Sequence, residues 1–100
     1  MLTEIEMDAL AKKYIAEMSE RIKIELTLLT EYEIKKEYGK MYVYTSKMYK
    51  ETGEFRHAIV GNAPFLVEKE TGRIIVFGTA ESDEYYIKEY EEGRWPNNRR

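Results

Sequence analysis

GNAPFLVEKETGRIIVFGTAESDEYYIKEYE, residues 61–91, is the stretch that decides the fold. Pro64 suits the start of a strand, where its missing N–H is least costly. Phe65 to Glu68 and Arg73 to Phe77 then flank a turn at Lys69 to Gly72, with Gly72 placed where positive φ is needed. The spacing predicts a hairpin. Ile74, Ile75, Val76 and Phe77 are apolar on both faces, as expected of central strands covered from both sides. Gly78 ends that run. Ser82 can cap a helix, Asp83 and Glu84 sit at the positive end of its dipole, and Tyr86, Ile87 and Tyr90 form its inner stripe. Gly93 and Pro96 stop it. A domain over residues 1–93 is expected, with residues 94–100 as a mobile tail.

Working outward, Thr3 to about Glu20 reads as a helix. Leu10, Tyr14 and Met18 recur at four-residue spacing, with Met7, Ala11 and Ile15 on the same side. Thr3 and Glu6 have the spacing of a capping box. The period then changes to two, because Ile22, Ile24, Leu26 and Leu28 alternate with polar residues and predict a strand with one buried face. Thr30 to Gly39 is open between two readings. Thr30 and Glu33 make a second possible capping box, while Tyr32, Ile34 and Tyr38 continue the period of two. A strand entering a hairpin is preferred, with its turn near Tyr38, Gly39 and Lys40 and the next strand at Met41 to Tyr49. Lys50 to Val60 reads as a loop with a helical turn. The fold class is α+β: an N-terminal helix on a mainly antiparallel sheet of about four strands, closed by a C-terminal helix.

Composition limits the function. A chain of 100 residues, 43% hydrophobic, makes a single domain that buries roughly 60 to 68% of its unfolded surface. It contains no cysteine, so disulfides, thiolate metal sites and a cysteine nucleophile are excluded. Acids occupy the amino terminus where a signal peptide needs cations, and no apolar run is long enough for a membrane span, so a cytoplasmic location is expected. A net charge of -3 argues against nucleic acid or an anionic membrane as partner and favours a basic protein.

No catalytic, cofactor or metal set emerges. His57 is the sole imidazole and no serine stands in a G-x-S-x-G elbow, so His57 reads as a loop or surface residue. Glu81, Asp83 and Glu84 lack the spacing and loop glycine of a calcium hand. Neither GxGxxG nor GxxxxGK is present. Tyr38, Tyr42, Tyr44 and Tyr49 interleave with lysines, a pattern that can stack single-stranded nucleic acid, but neighbouring acids would repel phosphate and tyrosine also suits half-buried strands.

The 61–91 stretch resembles the signature of the bacterial immunity protein 35 family, the YrhB-like domain. The resemblance rests on Gly61, Asn62, Ala63 and Pro64, then Thr71 and Gly72, then Gly78, Thr79 and Ala80, then Tyr86, Ile87 and Tyr90. It implies a protein that protects a bacterium by binding a cognate polymorphic toxin domain stoichiometrically, by occlusion and without turnover. A chaperone-like role and an unrecognised small enzyme are the alternatives. The glycine-marked motifs are expected to determine the fold. Partner contact is expected instead at the acidic rim of Glu81, Asp83, Glu84, Glu89, Glu91 and Glu92, or at Tyr42, Tyr44 and Tyr49. The oligomeric state is left open.

Overall fold

In the computed structural model, which describes residues 1–96, Thr3 starts the first helix as its capping box requires. Glu6 N–H donates to Thr3 Oγ1 at 3.1 Å and Thr3 N–H donates to Glu6 Oε1 at 2.8 Å, so two orphan donors are satisfied at once. The helix, α1, runs from Glu4 to Ile22. Met7, Ala11 and Ile15 form its buried line, flanked by the partly buried Leu10, Tyr14 and Met18. The helix takes in Ile22 and ends at Lys23, whose φ of 62° turns the chain.

Strand β1 is therefore only Leu26–Leu28. Ile22 and Ile24, expected on its buried face, are 41% and 42% exposed. Period-two alternation is local evidence, and here the helix outcompetes it. Ser19, still on α1, accepts a 3.0 Å hydrogen bond from Leu26 N–H and fixes where the strand begins.

The fold is α+β as expected, and six strands form two antiparallel sheets, the expected sheet of four and a second of two. β1 pairs with β4 (Tyr44–Ser46), and the larger sheet runs in the order β2 (Ile34–Lys36), β3 (Gly39–Tyr42), β5 (Phe65–Glu68), β6 (Ile74–Val76). The expected strand from Met41 to Tyr49 is thus broken at Val43, and its two halves join different sheets. From Lys47 the chain turns into α2 (Lys47–Thr52), because the Ser46 hydroxyl accepts the Tyr49 N–H at 2.9 Å as a helix cap. Of the Thr30 to Gly39 readings, Thr30–Tyr32 is one 3-10 turn without a side-chain cap, and the strand-to-hairpin reading holds from Ile34 onward. Lys36 pairs with Gly39, so the hairpin turn is Glu37–Tyr38 and Gly39 lies inside β3. A Cβ on Gly39 would run into the Val67 carbonyl oxygen, so this glycine serves close strand approach and not the turn.

Both faces of the larger sheet are covered. Tyr42, Phe65 and Val67 pack toward α1 and β4, while Met41, Leu66, Ile75 and Phe77 pack toward Tyr86 and Ile87 of α3 (Asp83–Glu91). Strand alternation divides neighbouring residues between the two cores. β5 is central as expected, whereas β6 is an edge strand. Its turn is built as read, with Gly72 at φ 75° and its N–H donating to Glu68 O at 2.8 Å. Ser82 caps α3 through the Tyr85 N–H at 3.1 Å. Trp95, placed by sequence in a mobile tail, meets the Tyr86 ring edge-on at 5.0 Å and donates from Nε1 to Val76 O at 3.0 Å, covering the open side of β6. The rest of that tail, residues 97–100, lies outside the described residues. Among the described residues no helix is long and apolar enough to cross a membrane.

Candidate functional site

Two polar clusters stand out: one is centred on a buried lysine, and the other walls two adjoining hollows. The first surrounds Lys40, which is 3% exposed on β3. Its Nζ lies 2.8 Å from Glu4, 2.9 Å from Asp8 and 2.9 Å from Glu33. Asp8 Oδ1 also accepts the Tyr42 hydroxyl at 2.6 Å. Burial pulls the Lys40 pKa down, but the hydrogen bonds it donates to the three carboxylates outweigh it and hold the ammonium above its ordinary range. Asp8 is held below its ordinary value in turn, since bonds from Tyr42 and Lys40 overcome its own burial. Every partner is engaged. The cluster ties α1 to the sheet.

The second cluster lies where the two hairpin turns meet the carboxyl end of α3. Glu68, the last residue of β5, accepts the Tyr90 hydroxyl at 2.5 Å, the Thr71 hydroxyl at 2.7 Å and Arg73 Nε at 3.2 Å. Burial raises its pKa, and these donors together bring it below the ordinary value. Tyr38, from the Glu37–Tyr38 turn, donates to Glu91 at 2.6 Å, and its ring lies 5.2 Å from that of Tyr90 at 40°. Burial, then the bond to Glu68, pushes the Tyr90 phenol up to about 12. Two adjoining hollows of about 320 and 510 Å³ share Tyr38, Glu68 and Tyr90 as their common wall. Glu37 and Glu70 stand on the lip of the smaller one, and Trp95 lines the larger.

The structure disperses the residues expected to touch a partner. Tyr42 and Tyr44 are core residues, 0% and 5% exposed, stacked or tilted against Phe65, and present almost no surface. Tyr49 is half-buried in α2. On α3, Glu81 and Glu84 are exposed, while Asp83 is half-buried and its pKa is raised by that burial and by Glu84. Glu89 and Glu92 are spent on Arg94, at 2.6 and 2.7 Å. Glu91 instead accepts the Tyr38 hydroxyl, so the carboxylates of the rim have different partners.

Several motif residues hold the backbone. Asn62 Nδ2 donates to Tyr44 O at 2.9 Å, Ala63 N–H to Gly61 O at 2.9 Å, and buried Pro64 accepts the Phe77 N–H at 2.8 Å. Gly78 packs on the Tyr86 phenol, whereas Thr79 and Ala80 are exposed. His57 Nε2 has no hydrogen-bond partner and lies 3.7 Å from Glu54. Among the described residues no group of three or more histidines, cysteines, aspartates or glutamates is arranged to hold a metal ion.

Sequence reasoning missed Tyr38, Glu68 and Arg73 as one site. Tyr90 was assigned to the inner stripe of the helix, and nothing in the spacing of these residues joins them. The one signal was the aromatic and acidic bias of both Glu37–Tyr38 and Tyr90–Glu91.

No known protein family matches the chain, and no solved structure matches it. Over 53 residues the chain is 36% identical to a protein of Escherichia coli (strain K12) that carries the name uncharacterized protein YrhB. The matched segment is 53% of this chain and spans 56% of that relative, so the relationship is YrhB-like over about half of each.

Proposed function

We propose that this protein is a non-catalytic binding module of the immunity type, acting in the bacterial cytoplasm and neutralising a cognate toxin domain by stoichiometric occlusion. The observation that carries this reading is the concave, acid-lipped hollow walled by Tyr38 and Tyr90, whose inner polar groups are held in fixed bonds to one another. Rigid tyrosines in a concave wall are the anchors protein interfaces use. The resemblance of residues 61–91 supports the immunity reading. The test is to identify the genes beside this one and, where one encodes a toxin domain, to co-produce the two proteins. A tight one-to-one complex by calorimetry, together with cell survival, is expected. Survival without a complex would remove occlusion as the mechanism.

A chaperone-like role is the second reading, and a separate observation favours it. Phe55 and Val60 are 87% and 96% exposed, close to a hollow lined by Ile24 and Met48. Apolar surface of this kind holds unfolded chains. Suppression of heat-induced aggregation of an unrelated enzyme, lost on Phe55→Ser, would support this reading over immunity.

A further inference from the structure

We infer that the smaller hollow receives one lysine or arginine side chain of the partner protein, its cation lying against the Tyr38 and Tyr90 rings beside the carboxylates of Glu37 and Glu70. This rests on the protein-binding reading and names the chemistry of the contact. Three observations converge on it.

The first is size. At about 320 Å³ the hollow stands at the lower end of the range for ligand pockets, about 300 to 1,000 Å³, which suits a single side chain. The second is the wall, since both phenols donate to carboxylates, Tyr38 to Glu91 and Tyr90 to Glu68. A phenol so polarised offers an electron-rich ring face, the surface that attracts a cation. The third is charge. Glu37 and Glu70 at the lip are in no ion pair among the described residues, while Glu68 holds Arg73 and Glu91 holds Lys36 only at 3.6 Å. Lys69 is the one basic side chain lining this hollow, which Met1 with its α-ammonium also lines, so the cations there are matched by the carboxylates of Glu37 and Glu70 with Glu68 left over for Arg73. Arg73 on Glu68 already displays how the same carboxylate grips a guanidinium from the neighbouring side.

The experiment is an NMR titration of the full chain, labelled with nitrogen-15, by the capped peptide Gly-Gly-Arg-Gly-Gly and by its neutral citrulline counterpart. The arginine peptide is expected to shift the amides of Glu37, Tyr38, Glu70, Thr71 and Tyr90, and the citrulline peptide to shift them at least about fivefold less at equal concentration. Glu37→Gln with Glu70→Gln should weaken the arginine response about threefold or more. Both residues are exposed, so the fold is kept. Equal responses to the two peptides, shifts confined to Glu81 to Glu84, or no shift up to about 10 mM, a range that reports even weak millimolar binding, would overturn the inference. Spermidine binding more tightly than the peptide would assign the hollow to a polyamine and overturn the protein partner. If the toxin domain binds as tightly to the double variant as to wild type, the inference falls while the immunity reading stands. If the peptide binds here but no toxin domain does, the reverse holds.

Discussion

The phenol of Tyr42, 0% exposed on β3, donates to Asp8 on α1 at 2.6 Å, and the buried Lys40 ammonium reaches the same oxygen at 2.9 Å. One carboxylate oxygen therefore satisfies the buried Tyr42 hydroxyl and supplies one of the three acceptors around Lys40. Asp8→Ala leaves the Tyr42 hydroxyl without its acceptor, and the expected cost is about 1 to 3 kcal/mol. The urea midpoint should fall with an unchanged slope, and Asp8→Asn should fall less, since its carbonyl still accepts. A midpoint equal to wild type in Asp8→Ala would show that this tie contributes nothing.

The same carboxylates set the acid limit of stability. Asp8 and Glu68 are held below their ordinary values of 3.8 and 4.5, so each contributes stability above those values that is lost as pH falls through the lower folded pKa. Lys40 and Tyr90 are shifted upward, from 10.5 and 10.0, and contribute stability below those values that is lost as pH rises through the higher folded pKa, about 12 for Tyr90. From these groups a plateau is expected between about pH 5 and 10, with urea midpoints falling below about pH 4. Glu68→Gln should flatten the acid limb. An acid limb as steep as that of wild type would remove Glu68 from the account.

Gly72→Val meets two obstacles. The residue needs φ 75°, and an added Cβ would stand 3.1 Å from Leu10 and 3.3 Å from Leu2, both packed beside the core. A loss of roughly 1 to 3 kcal/mol is expected from the backbone alone. Gly72→Ala should lose stability in the same direction and by less. Thermal melts decide it, and an unchanged melt for the valine variant contradicts the turn.

A chain ending at Gly93 should be less stable than one ending at Pro96. The difference includes the surface pairs of Arg94 with Glu89 and Glu92 and, with more effect, Trp95, whose ring contact with Tyr86 and hydrogen bond to Val76 together stabilise by about 1 to 3 kcal/mol. The shorter chain also uncovers the β6 edge, so it should self-associate at high concentration. Sedimentation of the two chains measures this. Equal melting temperatures would mean that Trp95 rests on the edge strand without supporting it.

What residues 61–91 specify by themselves is local chemistry. A capping serine, a positive-φ glycine and a period-two run act over two to four residues, and so the β5 to β6 hairpin and α3 form where their sequence places them. The capping box at Thr3 is of the same kind and fixes the start of α1. Competition and partnership lie outside that reach. Whether Ile22 and Ile24 enter a strand depends on where α1 stops, and the break at Val43 depends on two sheets drawing the same run apart. Lys40 is buried only because Glu4, Asp8 and Glu33 converge on it from elements 7 to 36 residues away. The wall of the hollow is of this second kind too. Tyr38, Glu68 and Tyr90 come from three elements, and only tertiary packing brings two phenols and their carboxylates together, because no local rule relates residues 22 to 53 positions apart.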